Sequence, residues 1–192
     1  VSEVAKNNGG KKKALASVLA GLAMVAAAGT MGTSVQADTN LGNSAVNISP
    51  NGTYNGSNSV GVNSVVVGYQ NKTNNQAGTL AYGANNTAYG DSAFAIGNNN
   101  VAKGGNAYAM GNTAEALGTA TLAFGNQAKA LANYTVAMGS GANASNENAV
   151  AVGRRTKAAG VAAVGMGLEA NAAGDNSVAI GKNNTTTGGA GG

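Results

Sequence analysis

The chain has 192 residues, of which only 9% are charged, and its 11 Lys and Arg against 7 Asp and Glu give a formal charge of +4. It contains no Cys and no His, which excludes disulfides, thiolate zinc sites, thiol nucleophiles, imidazole bases and histidine metal ligands. No catalytic residue, metal site or cofactor is therefore expected. Leu, Ile, Val and Phe total 32 residues while Gly alone supplies 31, so an ordinary bulky core cannot be filled. Scarce bulky residues signal disorder only when net charge is high. Here something must pack with Ala and Gly instead.

The chain opens on a leader. Lys11, Lys12 and Lys13 precede an apolar run from Ala14 to Ala28, and Gly29 to Ser34 leads to Val35-Gln36-Ala37. A basic start, a short apolar stretch and small residues at minus three and minus one form a secretory signal peptide. The run is shorter than the about 20 residues of a bilayer span, so an uncleaved anchor is the lesser reading. Cleavage is expected between Ala37 and Asp38. The leader region, 1–37, holds Lys6, Lys11, Lys12, Lys13 and Glu3, a net of +3, and the remainder holds seven positive and six negative groups. The basic character belongs mostly to export, and a nucleic-acid partner loses its support. Val1 stands where an initiator Met is absent, and the chain stops in Gly188-Gly189-Ala190-Gly191-Gly192. It is read as a segment of a longer precursor.

After an N-terminal cap segment over 38–57, residues 58–192 form a repeat region. Gly83, Gly97, Gly111, Gly125, Gly139, Gly153, Gly167 and Gly181 recur at a strict spacing of 14. Seven residues after each comes a second row: Gly90, Gly104, Gly118, Ala132, Asn146, Gly160, Gly174 and Gly188. Gly61 and Gly68 continue the pattern upstream, with one residue inserted before Gly83. Self-similarity at a fixed period is the signature of a solenoid.

The columns before the first glycine give the strands. One position earlier stand Tyr82, Ile96, Met110, Phe124, Met138, Val152, Met166 and Ile180. Three positions earlier stand Leu80, Phe94, Tyr108, Leu122, Val136, Val150, Val164 and Val178. Between them lies Ala in every repeat except for Gly165. Bulky, small, bulky is a strand period, and the absence of charge predicts burial on both faces. A second strand pairs a small column, Ala88 to Ala172 and Thr186, with a mostly polar one, Thr87 to Thr185. It reads as half in water.

Asn, Gly, Asp and Ser fill the turns, where they tolerate left-handed backbone angles. Asn98, Asn112 and Asn126 share a column, so a stacked amide ladder is expected there. Fourteen residues per coil and a stacking distance of about 4.8 Å give some nine coils and a rod roughly 40 Å long. The register also places Glu115 beside Lys129 and Arg155 beside Glu169, two exposed cross-strand pairs. Arg154, Arg155, Lys157 and Lys182 form a local basic patch, read first as a solvated surface. The sequons Asn71-Lys72-Thr73 and Asn133-Tyr134-Thr135 are read as by-products of Asn-rich turns.

One thin roll covers only one face of the first strand. The other face needs a partner, which predicts a homo-oligomer. The pattern leaves open whether the Val and Ile columns form the repeat core or the interface between copies.

Asn176-Ser177-Val178-Ala179-Ile180-Gly181, followed seven residues later by Gly188, resembles the head repeat of trimeric autotransporter adhesins of the Yersinia adhesin A type. Ser92 to Gly97 and Asn148 to Gly153 are looser copies, and Val1 to Lys6 before the Lys run is similar to that family's extended signal peptide. The resemblance implies an all-β, left-handed parallel β-roll wound as a homotrimer. It also implies export to the outer-membrane surface of a Gram-negative bacterium. The implied partners are host extracellular matrix, host cell-surface receptors or other bacteria. Membrane contact would come only through a C-terminal anchor beyond this sequence. Collagen binding is not carried over from a single full motif.

Rival readings have weaker support. Hexapeptide acyltransferases need a period of six and a catalytic His, and calcium-binding nonapeptide coils need an Asp in each repeat. Asp occurs only at Asp38, Asp91 and Asp175, and the Thr185-Thr186-Thr187 run of an ice-binding array is not repeated. A purely structural spacer, lifting a binding tip carried elsewhere, is the serious alternative to an adhesive head.

Overall fold

The computed structural model describes residues 46–48, 63–73 and 76–188. The leader, its cleavage between Ala37 and Asp38, and most of the 38–57 segment lie outside the described residues. Among those described, every regular element is a strand and no helix is long and apolar enough to cross a membrane. The strands form two parallel sheets. The first, ten-stranded, runs from Val46–Ile48 through Val65–Tyr69, Leu80–Ala84, Phe94–Asn98, Tyr108–Asn112, Leu122–Asn126, Val136–Met138, Val150–Val152 and Val164–Met166 to Val178–Ile180. The second, nine-stranded, runs from Lys72–Thr73 through Thr87–Ala88, Val101–Ala102, Glu115–Ala116, Lys129–Ala130, Asn143–Ala144, Lys157–Ala158 and Asn171–Ala172 to Thr185–Thr186. Each sheet takes one strand from every coil, so the chain is a parallel β-solenoid.

The register follows the 14-residue period. Gly83 pairs with Gly97, Gly97 with Gly111, and Gly111 with Gly125. The extra residue of the earliest coil is absorbed between strands, because Val65 still pairs with Leu80 and Gly68 with Gly83. Backbone groups bond from coil to coil, as in Phe94 N–H to Ala107 C=O at 2.8 Å and Asn99 N–H to Ala84 C=O at 2.9 Å. The fold therefore satisfies its backbone along the roll axis.

The interior is narrow. Every fully enclosed apolar side chain except Val66 is an alanine, including Ala81, Ala95, Ala109, Ala123, Ala137, Ala151 and Ala179 of the first sheet. From the second sheet, Ala88, Ala102, Ala116, Ala130, Ala144, Ala158 and Ala172 meet them, all at 0% exposure. The bulky columns on either side of the first-sheet alanines thus point outward, as strand alternation requires. No residue of the Ile96 and Val136 columns is buried inside the roll of this single chain. The first strand is enclosed on its small face only. Its bulky face is open in a single chain.

Most polar side chains that enter this interior have partners, Ser177 Oγ being an exception. Thr121 and Thr135 donate to the carbonyls of Gly118 and Ala132 at 2.9 and 2.7 Å. An amide ladder does exist, but not where the sequence placed it. Asn86 Nδ2 donates to Asn71 Oδ1 at 3.0 Å, and Asn100 Nδ2 to Asn86 Oδ1 at 2.9 Å. All three are buried, and the top of the ladder is closed by the Ala114 N–H at 2.8 Å from Asn100 Oδ1. Asn112 and Asn126 are instead exposed on the outside of the turn. There water competes for their amides, whereas the buried column, two residues further on, has no water to turn to. The ladder also buries Asn71, the acceptor of the first sequon.

Gly83 to Gly167 are required by both angle and space. Gly97 has φ +121°, and a Cβ there would lie 2.0 Å from the Gly111 carbonyl oxygen of the next coil. Gly181, at φ +110°, has nothing within 4 Å of such an atom. The departure at Gly165 has a different cause. A Cβ there would sit 2.9 Å from Thr156 Cγ2 and 2.7 Å from the Lys157 carbonyl oxygen. Thr156 is buried where the flanking coils carry Ala142 and Ala170, so the missing methyl at 165 offsets the added bulk at 156.

Two stability tests follow from these contacts. Gly181→Ala is expected to cost about 1–3 kcal/mol, the usual range for a strained backbone angle. Gly97→Ala adds a backbone collision and is expected to cost clearly more, read as a lower thermal midpoint by circular dichroism. Gly165→Ala alone should lose about 1–3 kcal/mol through overpacking. Thr156→Ala with Gly165→Ala restores the Ala–Ala pairing of neighbouring coils and should recover most of that loss in a double-mutant cycle.

Candidate functional site

The outer surface of the roll divides into three zones with different chemistry. The first is the bulky face of the ten-stranded sheet. Ile96, Met110, Phe124, Met138, Val152 and Ile180 stand in one column, with Tyr82 and Met166 in the same line. Val136, Val150, Val164 and Val178 continue the parallel column that starts at Val65, Leu80, Phe94, Tyr108 and Leu122. None of these side chains is buried. Tyr82 is 54% exposed, Phe124 49% and Ile180 61%. Phe94 and Tyr108 meet edge to face, with ring centroids 5.0 Å apart. Two uninterrupted apolar columns over nine coils, roughly 40 Å, exceed the patch a soluble monomer normally leaves bare.

The second zone is the outer face of the short strands together with the turn that leads into them. Here the two expected ion pairs form. Lys129 Nζ lies 3.4 Å from Glu115 Oε1, and Arg155 Nη1 lies 3.2 Å from Glu169 Oε1. Both are exposed pairs, worth about 0.2–1 kcal/mol each. They fix side chains more than they stabilise the fold.

The third zone is the opposite turn, which precedes the first strand. Asp91 Oδ1 accepts the Ala77 N–H at 3.2 Å, Asn133 Oδ1 the Thr119 N–H at 2.9 Å, and Asp175 Oδ1 the Val161 N–H at 2.8 Å. All three side chains occupy one column and cap the coil before them. The acids here serve coil stacking. Among the described residues no group of three or more acidic, His or Cys side chains could hold a metal ion.

The glycines at 83, 97, 111, 125, 139, 153, 167 and 181 all have positive φ, from +110° to +142°, and end the first strand of each coil. They let the chain leave the apolar face and enter the polar turn. Two further positions per coil are left-handed. Arg155, Glu169, Thr113 and Tyr134 are among them, with φ between +55° and +58°. Sequence reasoning placed such angles in Asn-, Gly-, Asp- and Ser-rich turns. It missed that Thr, Arg and Tyr also accept them, because only the coil register reveals that they share the Asn and Gly columns.

The comparisons agree with this geometry. The family model for the YadA head domain repeat (2 copies) matches residues 76–100, 102–128, 116–142, 130–156 and 158–184. No curated protein and no solved structure matches the chain. The matched segments together span more than half of the sequence and coincide with the coils described above. The chain belongs to the family of YadA head domain repeats, the repeats that build the heads of trimeric autotransporter adhesins.

Proposed function

We propose that this segment is an adhesive head, displayed on the outer-membrane surface of a Gram-negative bacterium as a homotrimer. It attaches to host extracellular matrix, host cell-surface receptors or other bacteria. The observation that carries the reading is the two-sided construction of the roll. The bulky face of the ten-stranded sheet is apolar, uncharged and uncovered in one chain. Covering the Ile96, Met110, Phe124, Met138, Val152, Ile180 column and the Val136, Val150, Val164, Val178 column with two further copies removes that face from water. The polar short-strand face then points outward on all three chains. Repeated weak contacts on a rigid rod gain strength through avidity, and extended repeats present the long surfaces this needs.

The leader over 1–37 serves export in this reading, with cleavage between Ala37 and Asp38, and residues 38–57 lead into the head.

Sedimentation of the mature segment is expected to show a trimer. A folded monomer would overturn the assignment of the bulky columns to an interface. Met138→Lys with Val152→Lys should abolish the trimer, whereas deletion of two whole coils, 83–110, should preserve it. A separate binding screen of the trimer against matrix proteins and bacterial cells is expected to give saturable attachment. Attachment only by a longer version of the protein would favour the spacer.

A further inference from the structure

The charges are sorted across the roll. Lys72, Lys129, Arg154, Arg155, Lys157 and Lys182 all lie on the turn after the glycine or on the short strands. On the opposite turn lie Asp91, Glu147 and Asp175 with no cation in the same columns. On the basic side, Glu115 and Glu169 are the described acids, and each is engaged by Lys129 or Arg155. Arg154, Lys157 and Lys182 have no acidic partner within ion-pair distance among the described residues. All three are exposed.

Lys157 lines a trough that runs along the axis between the turn column and the short-strand column, and Arg154 and Lys182 stand in the next column, beside the turn. One stretch is lined by Thr113, Glu115, Gln127, Lys129, Gly141 and Asn143. The next is lined by Arg155, Lys157, Glu169 and Asn171. The two stretches abut, because Asn143 pairs with Lys157 in neighbouring coils. Gly141 removes the side chain from the turn column at the junction and leaves the floor open. The lining is almost wholly hydrogen-bonding and has no bulky apolar side chain. Lys129 and Lys157 are two coils apart in the short-strand column, about 10 Å, and Arg154 and Lys182 are two coils apart in the column beside the turn. Arg155 and Glu169 hold left-handed angles of +56° and +58° in the column where Asn85, Asn99 and Asn183 stand.

We propose that this trough binds a linear acidic polysaccharide laid along the roll axis. Lys157, with Arg154 and Lys182 beside it, takes its anionic groups, and Gln127, Asn143 and Asn171 take its hydroxyls. A chain polymer fits because the trough is long, shallow and repetitive. A compact anion would engage one coil and leave the rest of the trough unused. The proposal rests on the adhesive reading and deepens it by naming a ligand class, and with the bulky face inward each trimer would carry three such troughs.

The test is surface plasmon resonance of the mature chain on immobilised heparin, polygalacturonate and neutral dextran at physiological ionic strength. Binding to at least one acidic probe and none to dextran is expected, weakening as salt is raised. Heparin alone would indicate a sulfated ligand, and polygalacturonate as well a carboxylated one. Arg154→Gln, Lys157→Gln and Lys182→Gln together should weaken binding at least about tenfold, since the loss repeats over several contacts. Lys103→Gln, beyond the short strand on the side away from the trough, should change it no more than about twofold on the same grounds. Equal losses in both variants, or no binding to either acid, would overturn the trough. Attachment to matrix proteins or cells without binding to either acid would overturn the trough alone. Failure of both would overturn the adhesive reading with it.

Discussion

The close stacking of one coil on the next governs the rest of this molecule. Two backbones approach so nearly at the glycine turns that the carbonyl of one occupies the space a Cβ of the other would need, 2.0 Å at Gly83 and at Gly97. That approach holds glycine over glycine from coil to coil, and the one added residue, between Gly68 and Gly83, is accommodated between strands with the stack kept. It also fixes the width. Two sheets joined by such tight turns leave room inside for little more than a methyl group from each side. The alanine interior is thus a consequence of the turn and has little to do with alanine's own strand preference, which is poor.

A methyl-lined interior has an energetic consequence. Burying one methyl-sized group is worth about 0.8 kcal/mol, whereas covering a Val, Ile, Met or Phe side chain is worth about 1.5–3 kcal/mol. Each coil encloses its small residues but carries two bulky ones on the open face of the first sheet. More hydrophobic stabilisation is available outside the roll than within it. In the proposed trimer the interface between copies would supply part of the coil's ordering, and the oligomer would be part of the fold rather than an addition to it. This inverts the usual arrangement, in which the largest apolar residues define the core of one chain.

Much of this was legible in the sequence because the repeat averages out local noise. One copy of Asn176 to Gly181 would support a turn and a short strand. Eight glycines in register support a solenoid, its strand positions and the pairs Glu115–Lys129 and Arg155–Glu169. The direction of the bulky columns was not legible, because alternation says that two faces differ without saying which one is inside. The amide ladder was misplaced for a related reason. Asn98 and Asn100 differ by two positions and look alike as letters, but one sits on the rim of the turn and the other has entered the roll. Only Asn71, Asn86 and Asn100, spaced 15 and 14 apart and giving way to Ala114, carry the sign of an interior column. The Thr156–Gly165 compensation was also invisible, since residues nine apart in the chain meet only after the turn brings them across the interior.

The division of labour between inside and outside explains how such a repeat can vary and still stack. Interior positions tolerate Ala, a small Thr or Ser, or an Asn that finds an amide above or below it. Outward positions on the short strands answer to no packing partner within the chain, and there Thr87, Val101, Glu115, Lys129, Asn143 and Lys157 follow one another in a single column. Substitution in that column changes the surface chemistry at fixed spacing, because backbone pairing alone sets the register. The charge sorting then gains meaning. Acids on the opposite turn cap the N–H groups of the preceding coil, at Asp91 and Asp175, and so have a structural use where they stand. The cations at Arg154, Lys157 and Lys182 cap nothing and cover no apolar stripe. They stand exposed on one side of the roll, free of any duty to the stack and open to what they meet in solution.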